Sequence, residues 1–458
     1  MRQNHDADLT EKLSKGIFIA CVAVSILGGT FLFGAFAFRD NIFPIPQLKV
    51  GYGMLRQSIS GDNSGDLAQH LQPTRDQGDG VTINTAKADG ALVFLSGFFD
   101  GENQIRLIRR DGTVVKKWGL NILEHFPDSD TRACDIESPL RIDVHGALAT
   151  PKGEIVFNYE YCGTVKLDQC GKVLWTINEK THHSIIPALN GGYWLLNRHV
   201  WSSTDHPDRF PPFTTSEHSK IINEDTLLRI DEDGKIVEDI SIPEILRAGG
   251  LEALLTAQVA FKQNFSGRAE LVHANKVAEL TPDIAAAFPL FAAGDLVLSF
   301  RNLNLIVVID PATKSVKWHQ TGPWVRQHDP EFRTDGRISI FNNNTYRNAY
   351  SNGQVRLSSP FKTNIIAVDP LTRDTEILFG ELPGQEMLSV IRGQHELLAD
   401  DGMIITEFDA GRVLEIDSNG NIVWEYINRY DDNFVGEVIN ADVYPAGYFQ
   451  AGWAECEQ

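Results

Sequence analysis

Five histidines occupy corresponding places in a repeating pattern of predicted strands and turns. Four of them precede the glycine of a predicted turn by seven or eight residues, and the fifth opens a unit with a longer insert; they are His145, His183, His328, His395 and His273. An imidazole titrates near neutral pH, attacks electrophiles through a ring nitrogen and binds metals. Side chains placed alike in units arranged around an axis converge, so the spacing predicts a histidine cluster.

Side chains that bind anions lie close to these histidines in the sequence. A guanidinium group pairs with phosphate, sulfate or carboxylate through two parallel hydrogen bonds, and amide groups add weaker donors. The candidates are Arg301, Arg347, Arg392, Asn275 and the run Asn342 to Asn344. In a chain with 41 basic and 61 acidic residues, a local group of cations predicts a site for a small anion.

Metal binding is the main alternative chemistry for the histidines. Few carboxylates share their positions, and Asp329 and Glu396 directly follow a histidine, so on a strand they point to the opposite face. The sequence contains no HExxH, GxSxG, Walker or dinucleotide-binding motif. We therefore expect a site without a metal or a cofactor, and a metal held by histidines alone remains the alternative.

The elements that carry these residues are strands joined by tight turns. Each unit consists of a strand, a glycine turn and a strand, followed by a hairpin that often ends on tryptophan. Six units follow one another at residues 88–119, 140–177, 182–240, 271–319, 326–380 and 394–428, and residues 438–450 supply a closing strand. This order predicts an all-β fold, a six-bladed β-propeller over residues 88–450. Two stacked sandwiches are the alternative, but sandwich strands need not repeat in order.

Two further predictions follow from this arrangement. Residues 243–263 have apolar side chains at helical spacing, which predicts a helical insert between the third and fourth units. The histidine position falls at the start of the first strand of its unit, and this strand is innermost in a propeller. The cluster is therefore predicted at one mouth of the central channel, a concave place of the kind that holds ligands.

The composition argues against several classes of protein and site. A formal charge of -20 repels phosphate backbones and argues against nucleic acid as a partner. With 42% hydrophobic and 22% charged residues, the chain can bury a large core and is not disordered. Five cysteines without a CxxC pair argue against zinc and thioredoxin-like sites, and Cys162 and Cys170, which flank a predicted hairpin, could form a disulfide.

The N-terminal region predicts a membrane anchor. Residues 16–38 contain no charge and are long enough to cross a hydrocarbon core of about 30 Å as a transmembrane helix. Positive residues before this segment place residues 1–15 in the cytoplasm, so residues 39–87 form a linker to a domain outside it. The alternative is a cleaved signal peptide that ends near Ala35-Phe36-Ala37, which the apolar length disfavours.

Four segments carry a resemblance to a known family. They are HANKV from His273, LVLSFRNLNLIVVIDPATKSVKW from Leu296, QHDPEFRTDGRISIFNNN from Gln327 and GQHELLADDGMIITEFDAGRVLEID from Gly393. These segments resemble those of the bacterial arylsulfate sulfotransferases, and the resemblance extends over about residues 88–450. Members of that family are exported six-bladed propellers that move a sulfuryl group from an aryl sulfate to a phenol without a nucleotide donor.

The resemblance implies a ping-pong reaction through a sulfohistidine, with an aryl sulfate and a phenol as substrates and with no cofactor. His395 is the expected nucleophile. The other expected catalytic residues are His328, His273 and Arg347, and the expected substrate-binding residues are His183, Asn275, Arg301 and Arg392. The expected location is the periplasmic side of the bacterial inner membrane. Secreted members have a removable leader and an N-terminal sandwich domain, and here the expected anchor and linker stand in their place. A homodimer is therefore one of the expected states and is not fixed by the sequence.

Two other functions stay open on the sequence alone. A propeller without activity would bind a polyanionic glycan or a partner protein through the same channel. A metal-dependent hydrolase would hold a metal in the histidine cluster. Sulfuryl transfer agrees better with the residues, because the moving group develops negative charge and needs clustered donors and a neutral nitrogen nucleophile.

Overall fold

A computed structural model of the chain describes residues 15–30, 33, 67, 69–86, 89–128, 131–136, 138–202, 221–256, 268–345, 350–351, 354–355 and 362–456. The chain divides into two compact units, Met1–Gly65 and Asp66–Gln458. In the first unit, residues 15–30 are helical and their side chains are exposed. Within the described residues, no helix has both the length and the apolar character needed to cross a membrane. Residues 31–32 and 34–38 of the predicted anchor lie outside that description, so the anchor stays a prediction.

The second unit consists of short strands joined mostly by tight turns. In chain order the strands are β1 (Leu71–Pro73), β2 (Gly80–Asn84), β3 (Leu92–Phe99), β4 (Glu102–Ile108), β5 (Val114–Gly119), β6 (Val144–Ala149), β7 (Ile155–Tyr159), β8 (Gly163–Leu167), β9 (Val173–Ile177), β10 (His182–Pro187), β11 (Tyr193–Ser202), β12 (Ile221–Ile230), β13 (Ile236–Ser241), β14 (Arg268–Glu270), β15 (Ala274–Glu279), β16 (Leu296–Phe300), β17 (Leu305–Asp310), β18 (Ser315–Thr321), β19 (His328–Phe332), β20 (Ile338–Asn342), β21 (Tyr350–Ser351), β22 (Gln354–Val355), β23 (Asn364–Val368), β24 (Thr375–Phe379), β25 (Gln394–Leu397), β26 (Met403–Glu407), β27 (Arg412–Ile416), β28 (Ile422–Ile427), β29 (Phe434–Gly436) and β30 (Val438–Tyr444). The helices are α1 (Ile122–His125), α2 (Ile242–Ala248) and α3 (Glu252–Thr256), with 3-10 turns at Pro139–Arg141, Ala285–Ala287, Arg301–Leu303 and Phe408–Ala410.

These strands form six antiparallel blades, which confirms the predicted propeller. From the centre outward the blades are β30-β3-β4-β5, β6-β7-β8-β9, β10-β11-β12-β13, β15-β16-β17-β18, β19-β20-β23-β24 and β25-β26-β27-β28. Six separate sheets in sequence order exclude the alternative of two stacked sandwiches. Apolar side chains of each blade pack against the next blade, as in the cluster that joins Phe94 of β3 to Phe157 of β7. Six such clusters hold the blades together in the described part of the chain.

The ends of the second unit close the ring and add an outer strand. Strand β30 pairs with β3, with Tyr444 opposite Leu92, so the predicted closing strand is confirmed. The predicted linker 39–87 needs correction, because β2 pairs with β28 as a fifth, outermost strand of the sixth blade and β1 pairs with β29. Residues 39–66 lie outside the described residues. The partner strands of β1 and β2 are more than 300 residues away in the chain, and local sequence carries no signal for such pairs.

The helical insert is present as two short helices. Ser241 caps α2 by accepting a hydrogen bond from the N–H of Glu244, and Pro243 lies in its first turn. Gly249 ends α2, and Gly250, with a φ of +78°, turns the chain into α3. Residues 257–263 of the predicted insert lie outside the described residues.

Two disulfides join Cys134 to Cys162 and Cys170 to Cys456, so the predicted pair of Cys162 and Cys170 is wrong. Those two cysteines lie at opposite ends of β8, whose five residues span about 17 Å. A disulfide requires Cα atoms less than about 7 Å apart. Each cysteine instead bonds to one from outside its hairpin.

Candidate active site

The innermost strands of all six blades line one cavity of about 270 Å³ on the axis of the propeller. Its lining changes in character along these strands. Histidines and Asn275 lie at the strand starts, and we name this end the histidine half; its other lining residues are His145, His183 and His328. Most of the carboxyl groups lie farther along the strands, with Asp329 directly after His328, and we name this end the carboxylate half; its lining residues include Glu279, Asp329, Glu331, Glu396 and Asp442.

The structure brings four of the five predicted histidines together. The ring centroids of His145 and His183 are 4.0 Å apart, and those of His183 and His273 are 5.2 Å apart. His182, which the sequence did not single out, places its Nδ1 2.8 Å from Nδ1 of His183. Burial and then the neighbouring histidines lower the pKa of His183 well below its usual value. The imidazole of His183 therefore sits as a neutral ring, which donates from one nitrogen and accepts at the other.

His328 has a defined tautomer. The Nδ2 group of Asn343 donates to the carbonyl oxygens of Ser389 and Arg392, at 2.9 and 2.7 Å. The Oδ1 atom of Asn343 therefore faces Nδ1 of His328, at 2.7 Å, and Nδ1 must carry the proton that it donates. Burial, and then the charge of Arg301, lower the pKa of His328 well below its usual value. A neutral ring protonated at Nδ1 keeps a lone pair on Nε2, the arrangement that nucleophilic attack by an imidazole requires.

Arg301 supplies positive charge to the histidine half. Its side chain lies near enough to His328 to lower the pKa of that ring, and its own pKa falls to about 10 through burial and the charge of Arg326. It is still protonated at neutral pH. Its Nε is buried without a hydrogen-bond partner among the described residues. A desolvated guanidinium with an unused donor is suited to an anion.

The other predicted arginines do not take that position. Arg392 is held by carboxylates, in contact with Asp143, 2.9 Å from Glu160 and 3.9 Å from Glu437. It reaches the cluster only indirectly, because Glu160 lies 3.6 Å from Nδ1 of His145. Arg347 lies outside the described residues.

His273 is partly buried at the edge of the cluster. Its Nδ1 lies 2.9 Å from Oε2 of Glu270, which also pairs with Arg198 at 2.7 Å. Although burial disfavours the charged carboxylate, His273 and Arg198 lower the pKa of Glu270 to about 2. Glu270 therefore stays ionised and orients the imidazole of His273.

His395, the expected nucleophile, does not join the cluster. It is fully buried, with Nε2 2.7 Å from Oγ of Ser339 and Nδ1 3.2 Å from Oδ2 of Asp329. The innermost strands can be aligned by the last residue of each strand before the following turn. In this alignment His395 occupies the same position as Ile185 and Val277, which pack in the cores between blades. It thus faces the core between the fifth and sixth blades rather than the cavity.

Asn275 lines the cavity, but its side-chain amide presents the oxygen atom and not the expected NH2 group. Its Nδ2 group donates to the carbonyl oxygen of Gln327 at 2.8 Å. The atom left free is Oδ1, which is buried and has no hydrogen-bond partner in the described part of the chain. Asn275 therefore offers an acceptor to a ligand, where the sequence predicted a donor to an anion.

The carboxylate half was not predicted. Lys276 places its Nζ 2.7 Å from Asp329, 2.5 Å from Glu331 and 3.2 Å from Glu396, so its ammonium lies where a cation bound to these three carboxylates would lie. The sequence did contain a signal for this group. Each of these residues lies within four positions of a predicted histidine or of Asn275, and hence on or beside a predicted innermost strand. Periodicity alone does not say that they share a cavity.

Backbone strain is concentrated in this region. His183, His273 and Asp329 have φ values of +53°, +54° and +54°, in the left-handed region that costs such residues about 1 to 2 kcal/mol. In the second blade Gly146, which like Asp329 lies three residues before the last residue of its strand, has a φ of +87°, and a Cβ there would lie 1.8 Å from the carbonyl oxygen of His183. These turns set the direction in which each strand start presents its side chain.

The match to known proteins agrees with this geometry. The model of the Arylsulfotransferase (ASST) family matches residues 148–429. The chain belongs to the arylsulfotransferase family. This match covers four of the blades in full and most of the histidine half, and it supports sulfotransferase activity at the level of the family.

The comparisons with solved structures give only low sequence identities and low TM-scores, and the comparison with curated sequences gives no match. A protein of unknown function from Bacteroides caccae is 13% identical, with 76% of this chain and 98% of that chain covered and a TM-score of 0.45. Virginiamycin B lyase from Staphylococcus aureus is 12% identical, with 66% of this chain and 84% of that chain covered and a TM-score of 0.35. No curated protein sequence matches the chain.

Proposed function

We propose that this arylsulfotransferase moves a sulfuryl group from an aryl sulfate ester to a phenol through a sulfohistidine on His328. The observation that carries the proposal is the bond from His328 Nδ1 to Asn343, which leaves the lone pair of Nε2 for attack. His328 takes the role that the resemblance assigned to His395, because His328 lines the cavity and His395 lies in a core.

The reaction proceeds in two balanced steps. In the first, Nε2 of His328 forms a bond to sulfur while the bond from sulfur to the aryl oxygen breaks, and the departing phenolate takes up a proton from solvent. In the second, the acceptor phenol gives its proton to solvent and its oxygen bonds to sulfur, while the N–S bond breaks and restores neutral His328. Arg301 and an N–H group of His183 stabilise the charge on the sulfuryl oxygens.

The proposed location is outside the cytoplasm, with the N-terminal helix in the inner membrane. Two disulfides are typical of an oxidising compartment. The helix at residues 15–30 exposes apolar side chains such as Phe18, Ile19 and Leu27, as a lipid-facing helix would.

The test is to trap the covalent intermediate. The protein is mixed with para-nitrophenyl sulfate without an acceptor, and we expect one equivalent of nitrophenol together with an acid-labile sulfuryl group on the peptide that contains His328. His328→Gln should give neither, and the matched variant His395→Gln should give both. A label on the peptide of His395, or nitrophenol release by His328→Gln at the normal rate, would contradict the proposal.

A further inference from the structure

The carboxylate half of the cavity contains more negative groups than its one ammonium can balance. Lys276 contacts three carboxylates. Glu279 and Asp442 line the same cavity in addition. Like charges in a cavity of low polarity raise one another's pKa. Such a site stabilises any further positive charge that enters it.

The protonation of these groups agrees with an excess of carboxyls. Burial raises the pKa of Glu331 well above its usual value, with Glu396 and Asp329 adding to the effect against the opposing charge of Lys276. Burial and then the charge of Glu396 raise the pKa of Asp442 to about 7. A cation bound among them would favour their ionised forms.

A second, independent feature points to a ligand with a hydrogen-bond donor. Asn275 is only 6% exposed, lines the same cavity and presents Oδ1 without a partner among the described residues. Its Nδ2 is bonded to Gln327, so the amide cannot rotate to hide Oδ1 without losing that bond. A buried acceptor of this kind costs free energy until a donor reaches it.

The two halves are spaced for one small molecule. His328 and Glu331 lie on the same strand, and the partner strand advances only two residues between them, which corresponds to about 7 Å. Both line the same cavity. An aromatic ring with a short amine tail covers this distance.

We propose that the acceptor is a phenol that carries a protonated amine. Its hydroxyl group donates to Oδ1 of Asn275 beside the sulfuryl group on His328, and its ammonium group lies in the carboxylate half among Glu279, Glu396 and Asp442. The inference rests on the proposed function and adds the class of acceptor. The anionic donor is held at the opposite half, by Arg301.

The experiment compares three acceptors of similar size that differ in charge. With para-nitrophenyl sulfate as the donor, kcat/KM is measured for tyramine, para-ethylphenol and para-hydroxyphenylacetate. We expect tyramine to exceed para-ethylphenol by about tenfold and para-hydroxyphenylacetate to be slowest, as one added charge interaction of about 1.4 kcal/mol requires. Higher salt should reduce these ratios.

Variants assign the selectivity to the carboxylate half. Glu279→Gln and Glu396→Gln should each reduce the ratio of tyramine to para-ethylphenol, while the exposed Glu381→Gln, with the same change of charge, should leave it unchanged. Each ratio is measured within one variant, so a loss of folded protein does not alter it. Equal rates for the three acceptors, or a ratio that Glu279→Gln and Glu396→Gln do not change, would overturn the inference. If the wild type released no nitrophenol from the donor, the proposed function itself would fail instead.

Discussion

Strands β19 and β25 begin with nearly the same residues but send their histidines in opposite directions. Gln327 and His328 are followed by an aspartate, and Gln394 and His395 by a glutamate. The first histidine lines the cavity, and the second is buried between blades. The same short motif therefore places one histidine at the cavity and the other in a core between blades.

The backbone explains the difference. In β19 the pairing with β20 shifts between His328 and Glu331, at a bulge where Asp329 has a φ of +54°. Strand β25 pairs with β26 without a shift, from Gln394 to Leu397. One extra residue moves every earlier side chain of a strand to the other face. The bulge thus decides which histidine lines the cavity.

The turn after β25 adds to the difference. The left-handed residue of this turn is Asp401, with a φ of +62°, and not Gly402. His395 therefore precedes that residue by six positions, whereas His145, His183 and His328 precede theirs by eight. The spacing that seemed shared by four histidines is shared by three.

The largest effect should come from exchanging each of these histidines for glutamine. His328→Gln removes the nucleophile and should lower kcat/KM about 10,000-fold, in the range found when a nucleophile is deleted. His395→Gln can still bond to Ser339 and should stay within about tenfold of the wild type. Steady-state rates with para-nitrophenyl sulfate and phenol check this. The opposite order would mean that the bulge in β19 is not what selects the nucleophile.

The success and failure of the sequence predictions follow the range of the interactions involved. Hairpins and alternating strands depend on neighbours in the chain, so six blades and the closing strand could be predicted. The pairing of β2 with β28 and the two disulfides join distant residues, and local patterns carry no record of them.

Within the candidate site, too, the features that depend on local spacing could be predicted and those that depend on distant residues could not. Equal spacing from a turn placed His145, His183 and His328 correctly in one cavity. The bulge that separates His328 from His395 was not visible, because an aspartate rarely adopts a positive φ and Gly402 offered a more usual turn residue. Lys276 and its carboxylates were missed because their grouping depends on three different blades.

For stability we expect the reverse of the order for activity: the loss of His395 should cost more than the loss of His328. His395→Ala leaves the hydroxyl of Ser339 without its buried partner and opens a cavity, so we expect a loss of about 3 kcal/mol in the free energy of unfolding. His328→Ala lies on the cavity wall and should cost about 1 kcal/mol or less. Urea unfolding of the two alanine variants measures both. Equal losses would show that His328 is packed as tightly as His395.

The tautomer of His328 can be changed by a substitution at Asn343 that leaves the imidazole in place. Asn343→Leu removes the acceptor for Nδ1–H, so the proton can move to Nε2 and block attack. We expect about a 100-fold loss in the first step, similar to the loss of other residues that orient a reactive group. The burst of nitrophenol release isolates this step. The control is Asn344→Leu, since Asn344 bonds to Lys362 at the surface and not to a histidine. A burst rate unchanged in Asn343→Leu would contradict the assigned tautomer.

The smallest effect concerns pH. The pKa values of His145, His183 and His328 are lowered in the folded chain, chiefly by burial, from an unfolded value of about 6.5. Below that pH the unfolded chain binds protons that the folded chain does not, so these three histidines make stability fall with falling pH. His70 acts in the opposite direction, because Glu437 raises its pKa despite burial.

The contribution of His328 alone is the difference in the free energy of unfolding between the wild type and His328→Gln, because all other titrating groups are common to both. We expect the wild type to lose up to about 1.4 kcal/mol more than His328→Gln for each pH unit below 6.5, as measured by urea unfolding. Parallel curves would mean that His328 binds its proton equally well in both states, which would contradict the burial of its ring beside Arg301.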